Sequence, residues 1–108
     1  AYRIGPRHRL TPATRPGWRA QLEQFEIVLA RDGVEIDRGS AANVLGGPLS
    51  ALRHLVQLLA ADPVNPPLAA GEIVTTGTVT RAFPVAAGES WRTSVIGLPI
   101  DGIEIRFA

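Results

Sequence analysis

Residues 25–37, FEIVLARDGVEID, predict two short strands joined by a tight turn. Phe25, Ile27 and Leu29 recur at every second position, which places three large apolar side chains on one face of a strand. Asp32-Gly33 is a strong signal for a two-residue hairpin loop, because both residues tolerate a positive φ. The segment therefore predicts a β-hairpin with one apolar face.

The last third of the sequence also has the composition of β-structure. Three further strands are predicted: EIVTTGTVT at 72–80, SWRTSVIGL at 90–98 and GIEIRFA at 102–108. The tetrapeptide AAGE occurs twice, at 69–72 and 86–89, each time before a predicted strand. We expect both copies to form the same turn, with glycine supplying a positive φ.

One helix is predicted, from Pro48 to about Ala61. Proline suits the first helical position, because its missing N–H would have no partner there. Asp62-Pro63 ends the helix, and the following prolines keep the loop extended. The apolar stripe is formed by Leu49, Leu52, Leu55, Val56 and Leu59, and the opposite polar face by Ser50, Arg53, His54 and Gln57.

Composition excludes several kinds of chemistry. The chain has 108 residues, enough for one domain or part of one, and 45% of them are hydrophobic. Cysteine and lysine are both absent, which excludes disulfides, thiolate catalysis, Schiff bases and P-loops formed by this chain. We find no signal peptide and no apolar run that predicts a membrane span, so no membrane partner is expected.

Residues 1–22 are interpreted as an irregular, basic, proline-rich segment. Five arginines precede the first acid, Glu23: Arg3, Arg7, Arg9, Arg15 and Arg19. A nucleic-acid-binding arm is one interpretation. A solvated segment that packs on other protein is favoured, because aromatic residues for base stacking are sparse, and no nucleic-acid partner is expected.

Few residues outside the β-rich third suggest a site. Glu35 and Asp37 lie two apart on a predicted strand and could together hold Mg²⁺, although a solvated hairpin edge is the simpler interpretation. His8 and His54 have no serine and acid arranged as a triad, which favours surface positions. Trp18 and Trp91 are isolated and are expected to be packing residues.

Thr76, Gly77 and Thr78 are the candidate binding residues. A glycine within a strand leaves no side chain to pack and often marks close approach by a ligand or another backbone. Under strict alternation Thr76 and Thr78 point to the same side, where their hydroxyls could bind a small anionic ligand. The alternative is ordinary strand composition with a bulge at the glycine.

The sequence from Phe25 onward resembles the carboxyl-terminal part of the 2-keto-4-pentenoate hydratase / 4-oxalocrotonate decarboxylase family, within the fumarylacetoacetate hydrolase-like superfamily. The matching features are Gly39, the Leu45-Gly46-x-Pro48 turn into a helix, Ala51, Leu55, Leu68-x-x-Gly71-Glu72, Gly77-Thr78, Pro84-Val85, Gly88-Glu89 and Gly97-Leu98. Aspartate is usual in the family where Glu72 and Glu89 stand.

The resemblance implies a pocket for a 2-oxo acid lined by Thr78 and, less directly, by Thr76 and Gly77. It implies a Mg²⁺ or Mn²⁺ ion that chelates the substrate and acts as a Lewis acid. The family binds its metal through a Glu-x-Glu pair and a further acid, and a lysine near the pocket assists. None of these residues has a match in this sequence. The catalytic residues are therefore expected before residue 1, and this chain is expected to hold no metal alone.

These implications give a specific expectation for the fold and for the function. Residues 23–108 would be the carboxyl-terminal part of a catalytic domain, of α+β class and mostly β, in which a partial mixed-sheet roll carries the helix at about 48–61. The parent would be a cytoplasmic lyase of aromatic-compound catabolism, either hydratase or decarboxylase, and a homo-oligomer or the partner of a related subunit. The chain is expected to be inactive alone. The alternative is a non-catalytic module that docks on a partner carrying the metal site.

Overall fold

A computed structural model describes residues 3–108 as a four-stranded sheet with two helices. The elements in order are α1 (Arg15–Leu22), β1 (Glu26–Arg31), β2 (Val34–Ser40), a 3-10 helix (Ala41–Asn43), α2 (Pro48–Ala61), β3 (Ser90–Ile96) and β4 (Glu104–Arg106). The sequence predicted both strands and a helix. Residues 1 and 2 of the predicted basic segment lie outside the described residues.

The sheet has the strand order β2-β1-β3-β4, and every pairing is antiparallel. The expectation of a mixed sheet is therefore wrong for the strands described here. The predicted hairpin is confirmed: Asp32 and Gly33 form its two-residue loop with φ values of 50° and 81°. Positive φ at both central residues is the type I′ geometry, whose twist matches that of the two strands.

A bulge interrupts the hairpin where Leu29 pairs with Asp37 and the next residue, Ala30, pairs with Glu35. Ile36 is thus the extra residue on β2, and the strand bends there. The strict alternation that predicted a common face for Glu35 and Asp37 therefore does not hold.

The core lies where the sheet meets α1 and the loop after β3. Phe25, Ala41 and Leu98 form its buried centre. The partly buried apolar residues packed on this centre are Trp18, Leu22, Ile27, Val79, Val95 and Ile100. Phe25 and Ile27, from the predicted apolar face of the hairpin, are thus core residues.

Helix α1 corrects the interpretation of residues 1–22 as irregular. Pro16 lies in the first turn of α1, where proline is favoured rather than disruptive. Thr11 and Thr14 hold the turn before this helix, since the Thr11 N–H donates to Thr14 Oγ1 at 2.9 Å. Trp18 and Leu22 lie four apart on α1 and both reach the core.

Helix α2 has the predicted bounds, but it does not bury its apolar stripe in the sheet. None of its residues is buried, and among the regular elements it packs most closely on α1. The backbone turns sharply before the helix begins, with positive φ at Leu45, Gly46 and Gly47. The expectation of a helix packed on the sheet is therefore wrong.

Residues 41–61, 21 residues in all, have the length and hydropathy expected of a membrane span, although one such segment is weak evidence for a span. This segment consists of the 3-10 helix, the residues with positive φ that follow it, and α2. Helix α2 itself has 14 residues, which span about 21 Å against a hydrocarbon core of about 30 Å.

Two of the three predicted downstream strands differ from expectation. Residues 90–96 form β3 as predicted, whereas only Glu104–Arg106 of the predicted 102–108 strand is paired. Residues 72–80 run without a sheet partner in the described structure. A pattern of β-branched residues predicts a strand only where a neighbouring strand is available to accept and donate hydrogen bonds.

Candidate functional site

The segment that carries the candidate threonines is attached to β2 and the 3-10 helix by side chains. Asn43 Nδ2 donates a hydrogen bond to the Val79 carbonyl at 3.0 Å, and the Arg81 N–H donates to Asp37 Oδ2 at 2.9 Å. Gly39 contacts the Val79 backbone so closely that a Cβ at this position would overlap the Val79 carbonyl. These contacts fix residues 79–81 and leave residues 76–78 just beyond the anchor.

Gly77 adopts a backbone conformation that favours glycine. Its φ is +111°, and a Cβ added there would meet only Val44 Cγ1, at 3.8 Å. Glycine is therefore favoured at position 77 by the backbone conformation and not by a lack of space for a side chain. It is exposed, as close approach by a ligand would need.

A cleft of about 300 Å³ lies between α2 and the segment before Gly77. Its lining residues are Leu45, Ala51, His54, Leu55, Leu58, Val74, Thr75 and Thr76. Thr76 is half-buried in this lining, whereas Thr78 is exposed and does not line the cleft. The structure therefore places Thr76 in the cleft, and Gly77 and Thr78 at the surface beside it.

The predicted alternation of Thr76 and Thr78 fails, because consecutive residues Thr75 and Thr76 both line the cleft. Strict alternation belongs to a paired, pleated strand, and this segment has no sheet partner and contains a positive-φ residue. The directions of the side chains along the segment therefore follow the local backbone, including the positive φ at Gly77, and not the pleat of a sheet.

His54 lines the same cleft, which the sequence did not indicate. It lies on the predicted polar face of α2 and is exposed. Helical periodicity predicts which face a residue occupies, but it does not show which loop lies opposite that face. The sequence carries no signal that pairs His54 with residues 74–76.

The acids on β2 are held by arginines and do not form a metal site. Arg38 Nε donates to Glu35 Oε1 at 3.1 Å, and Arg38 Nη1 donates to Glu26 Oε2 at 3.1 Å. These two acids, Glu35 first, raise the pKa of Arg38. Asp37 binds Arg81 instead, whose backbone N–H and then guanidinium lower the pKa of Asp37 from its ordinary value of 3.8.

The interpretation of Glu35 and Asp37 as a Mg²⁺-binding pair is therefore wrong. The two residues flank the bulge, and each carboxylate binds a different arginine. Across residues 3–108 no three side chains of histidine or acid type come close enough to hold a metal ion. His8 lies against Trp18, with ring centroids 5.3 Å apart. The two tryptophans are packing residues, as predicted: Trp91 is buried, and Trp18 packs on the core.

Both AAGE segments form the predicted turn, with φ values of 93° at Gly71 and 87° at Gly88. In each copy the glutamate closes the turn on itself. Glu72 Oε2 accepts the Ala69 N–H at 2.6 Å, and Glu89 Oε2 accepts the Ala86 N–H at 2.8 Å. These carboxylates are therefore structural, and they are not oriented toward the cleft by any hydrogen bond.

The chain is similar in sequence and in overall structure to bacterial enzymes. The chain is 35% identical over 77 residues to 4-oxalocrotonate decarboxylase of Pseudomonas sp. (strain CF600). A 2-keto-4-pentenoate hydratase of Burkholderia vietnamiensis is 33% identical over 77 residues. The solved 4-oxalocrotonate decarboxylase of Pseudomonas putida, complexed with magnesium and adipate, superimposes with a TM-score of 0.70 at 33% identity over 82% of this chain.

The chain belongs to the 2-keto-4-pentenoate hydratase / 4-oxalocrotonate decarboxylase family. It fits the carboxyl-terminal part of such proteins. The matched region covers 71% of this chain in both curated relatives, but only 28% of the decarboxylase and 29% of the hydratase. The same decarboxylase of Pseudomonas putida was also solved with calcium and acetate, and this chain covers 32% of it. No protein-family model matches the chain.

Proposed function

We propose that this chain is part of a metal-dependent lyase that acts on 2-oxo acids, either hydrating 2-hydroxypenta-2,4-dienoate or decarboxylating 4-oxalocrotonate in the cytoplasm. The relationship to decarboxylases and hydratases carries the proposal. The chain spans a little over a quarter of the length of these relatives, so the activity is proposed for the whole protein and not for this chain alone.

Within that protein the segment Thr76–Thr78 would bind the substrate's carboxylate or keto oxygen. Three features support this role: the half-buried Thr76 in the cleft, the exposed backbone at Gly77 with no side chain over it, and the exposed Thr78. Hydroxyl and backbone donors form short, strong hydrogen bonds with a carboxylate. The acetate and adipate bound by the related decarboxylase are carboxylates of this kind.

The described residues do not fit a Mg²⁺ or Mn²⁺ site. Divalent cations of this type take several oxygen ligands, mostly from carboxylates. Among residues 3–108 the acids of β2 are paired with arginines, and Glu72 and Glu89 each close a turn. We therefore assign the metal ligands and the catalytic residues to protein outside this chain, and give this chain the task of positioning the substrate.

A chimeric enzyme tests this division of labour. The carboxyl-terminal quarter of the Pseudomonas decarboxylase would be replaced by this chain and assayed with Mg²⁺ for loss of dienol absorbance. We expect turnover of 2-hydroxypenta-2,4-dienoate or 2-oxo-3-hexenedioate, and none from this chain alone. A folded chimera that consumes neither substrate would contradict the proposal.

Single substitutions in the chimera locate the binding residues. Thr76→Val and Thr78→Val should each lower kcat/KM by about tenfold, the effect of losing one hydrogen bond to a charged group. Thr80→Val is the matched control, because Thr80 follows in the same segment and lines none of the described cavities. Equal effects at all three positions would indicate a general structural disturbance instead of substrate binding.

A second candidate function is association without catalysis, favoured by the apolar residues that α2 leaves exposed. Leu58 is 70% exposed and Val56 48% exposed. Such a surface is typical of contact with other protein. The partner would be a subunit that carries the metal ligands, either a copy of the parent or a related hydratase or decarboxylase. If the chain restores activity to a decarboxylase lacking its own carboxyl-terminal quarter without being fused to it, association is sufficient.

A further inference from the structure

Two adjoining cavities lie between α1 and α2, away from the threonine segment. One has a volume of about 500 Å³ and the other about 520 Å³. Arg19 and Leu49 line both, so the two cavities form one continuous groove. Volumes of this size are typical of small-molecule sites. We call this surface the interhelical groove.

One half of the interhelical groove is apolar. Its lining residues are Leu10, Arg15, Pro16, Trp18, Arg19, Leu22 and Leu49. Trp18 and Leu22 are held in place because their other sides pack on the core. The apolar wall is therefore anchored to the core, and a flat or branched hydrocarbon body could pack on it with little further ordering of side chains.

The other half of the groove contains polar groups and carries excess positive charge. It is lined by Arg19, Glu23, Leu49, Ser50 and Arg53. Glu23 offsets part of the charge of Arg19, since Glu23 Oε1 lies 3.6 Å from Arg19 Nε. Arg53 is exposed and has no ion-pair partner within residues 3–108. The same is true of Arg15, which lines the apolar half.

We propose that the interhelical groove binds a small carboxylic acid with an apolar body, such as an aromatic or branched acyl acid. The apolar body would pack on Trp18 and Leu22, and the carboxylate would accept hydrogen bonds from Arg53 and the Ser50 hydroxyl. Guanidinium groups match the planar geometry of a carboxylate and bind it through two parallel hydrogen bonds. The site is independent of the cleft beside Thr76 and of the proposed lyase activity.

Trp18 provides a direct readout of binding. The chain has two tryptophans, so its ¹⁵N spectrum has two indole N–H signals. Trp91 lines neither half of the groove, and its indole N–H donates to Glu89 Oε2 at 2.9 Å. The signals are assigned with the Trp18→Phe variant, and the probe is naphthoate titrated into the unmodified chain.

We expect naphthoate to shift the Trp18 signal saturably while the Trp91 signal stays in place. Arg53→Gln should weaken binding by about fivefold, the loss of one exposed charge-assisted contact. Arg92→Gln is the matched control, because Arg92 is an exposed arginine of β3 that lines neither cavity. The backbone spectrum of each variant reports whether it keeps the fold.

The neutral alcohol analogue of naphthoate tests the charge requirement on the unmodified chain. It should bind more weakly than naphthoate, because it cannot pair with a guanidinium. The proposal is overturned if the Trp18 signal does not move, if the alcohol binds as tightly as the acid, or if Arg92→Gln weakens binding as much as Arg53→Gln.

Discussion

At the scale of single residues, Glu89 joins a turn to the sheet. Its carboxylate accepts hydrogen bonds from the Ala86 N–H at 2.8 Å and from the Trp91 indole at 2.9 Å, and Arg31 lies 3.6 Å away. The backbone contact with Ala86 and then the Trp91 contact lower the pKa of Glu89. Because Trp91 is buried, this one acid connects the AAGE turn to the interior.

Acid should therefore weaken the fold through Glu89. Its folded-state pKa lies below the ordinary value of 4.5, so its contribution is complete above about pH 4.5 and is lost as the pH falls through the folded-state pKa. We expect the unmodified chain to be more stable than Glu89→Gln at pH 7, with a difference that narrows below about pH 4.5.

Urea unfolding followed by tryptophan fluorescence at several pH values measures this difference. Asp101→Asn is the control, since Asp101 is exposed and makes no hydrogen bond or ion pair in the described structure. A difference between the unmodified chain and Glu89→Gln that stays constant down to pH 3 would show that the carboxylate's charge is not what stabilises the turn.

At the scale of elements, the threonine segment is held by packing on β2 rather than by pairing with it. The Cβ position of Gly39 is occupied by the backbone of Val79, and Asn43 and Asp37 supply the hydrogen bonds that a strand partner would otherwise make. The position of the candidate site thus depends on a glycine 38 residues before Gly77 in the chain (77 − 39 = 38).

Two glycine substitutions should have opposite effects on stability. Gly39→Ala places a methyl group against the Val79 carbonyl, which cannot move without displacing the segment. We expect it to lower the free energy of unfolding by about 1–3 kcal/mol. Gly17→Ala meets nothing within 4 Å and lies inside α1, so it should stabilise the chain by about 0.5–1 kcal/mol.

Thermal or urea unfolding of both variants checks these signs. In the chimeric enzyme Gly39→Ala should also raise KM, because the segment that carries Thr76 would be displaced. If Gly39→Ala proves as stable as the unmodified chain, the close contact between β2 and the threonine segment does not exist in solution.

At the scale of the whole molecule, the chain is less compact than its length would allow. Its radius of gyration is 15.9 Å, against about 13 Å for a compact domain of this size. Helix α2 buries none of its residues, and large apolar side chains remain exposed on it, Leu58 and Val56 among them. A surface of this kind favours contact with more protein.

We therefore expect the isolated chain to self-associate through α2. Light scattering should give a mass above 11.5 kDa that increases with concentration. Leu58→Glu should shift the equilibrium toward the monomer, because a charged side chain at the centre of an apolar contact would lose its hydration. Val64→Glu is the control, as Val64 is exposed in the loop after α2. A monomeric mass at every concentration would contradict this expectation.

The sequence by itself determined the features that depend on neighbouring residues. Asp32-Gly33 determined the hairpin, Pro48 and Asp62 bounded α2, and each AAGE glycine took the positive φ that its turn needs. Among the glycines of the family resemblance, Gly46, Gly71, Gly77, Gly88 and Gly97 all take a positive φ, which other residues rarely adopt. Each of these outcomes is decided within a few residues, which is why a pattern could predict them.

Tertiary structure alone decided which surfaces meet. Residues 72–80 have strand composition but no strand partner, and α2 has an apolar stripe that the sheet does not cover. The bulge at Ile36 separated two acids that alternation had placed together, and the fold set His54 opposite Thr76. These outcomes depend on groups far apart in the chain, so the free energy that decides them is not present in any short stretch of sequence.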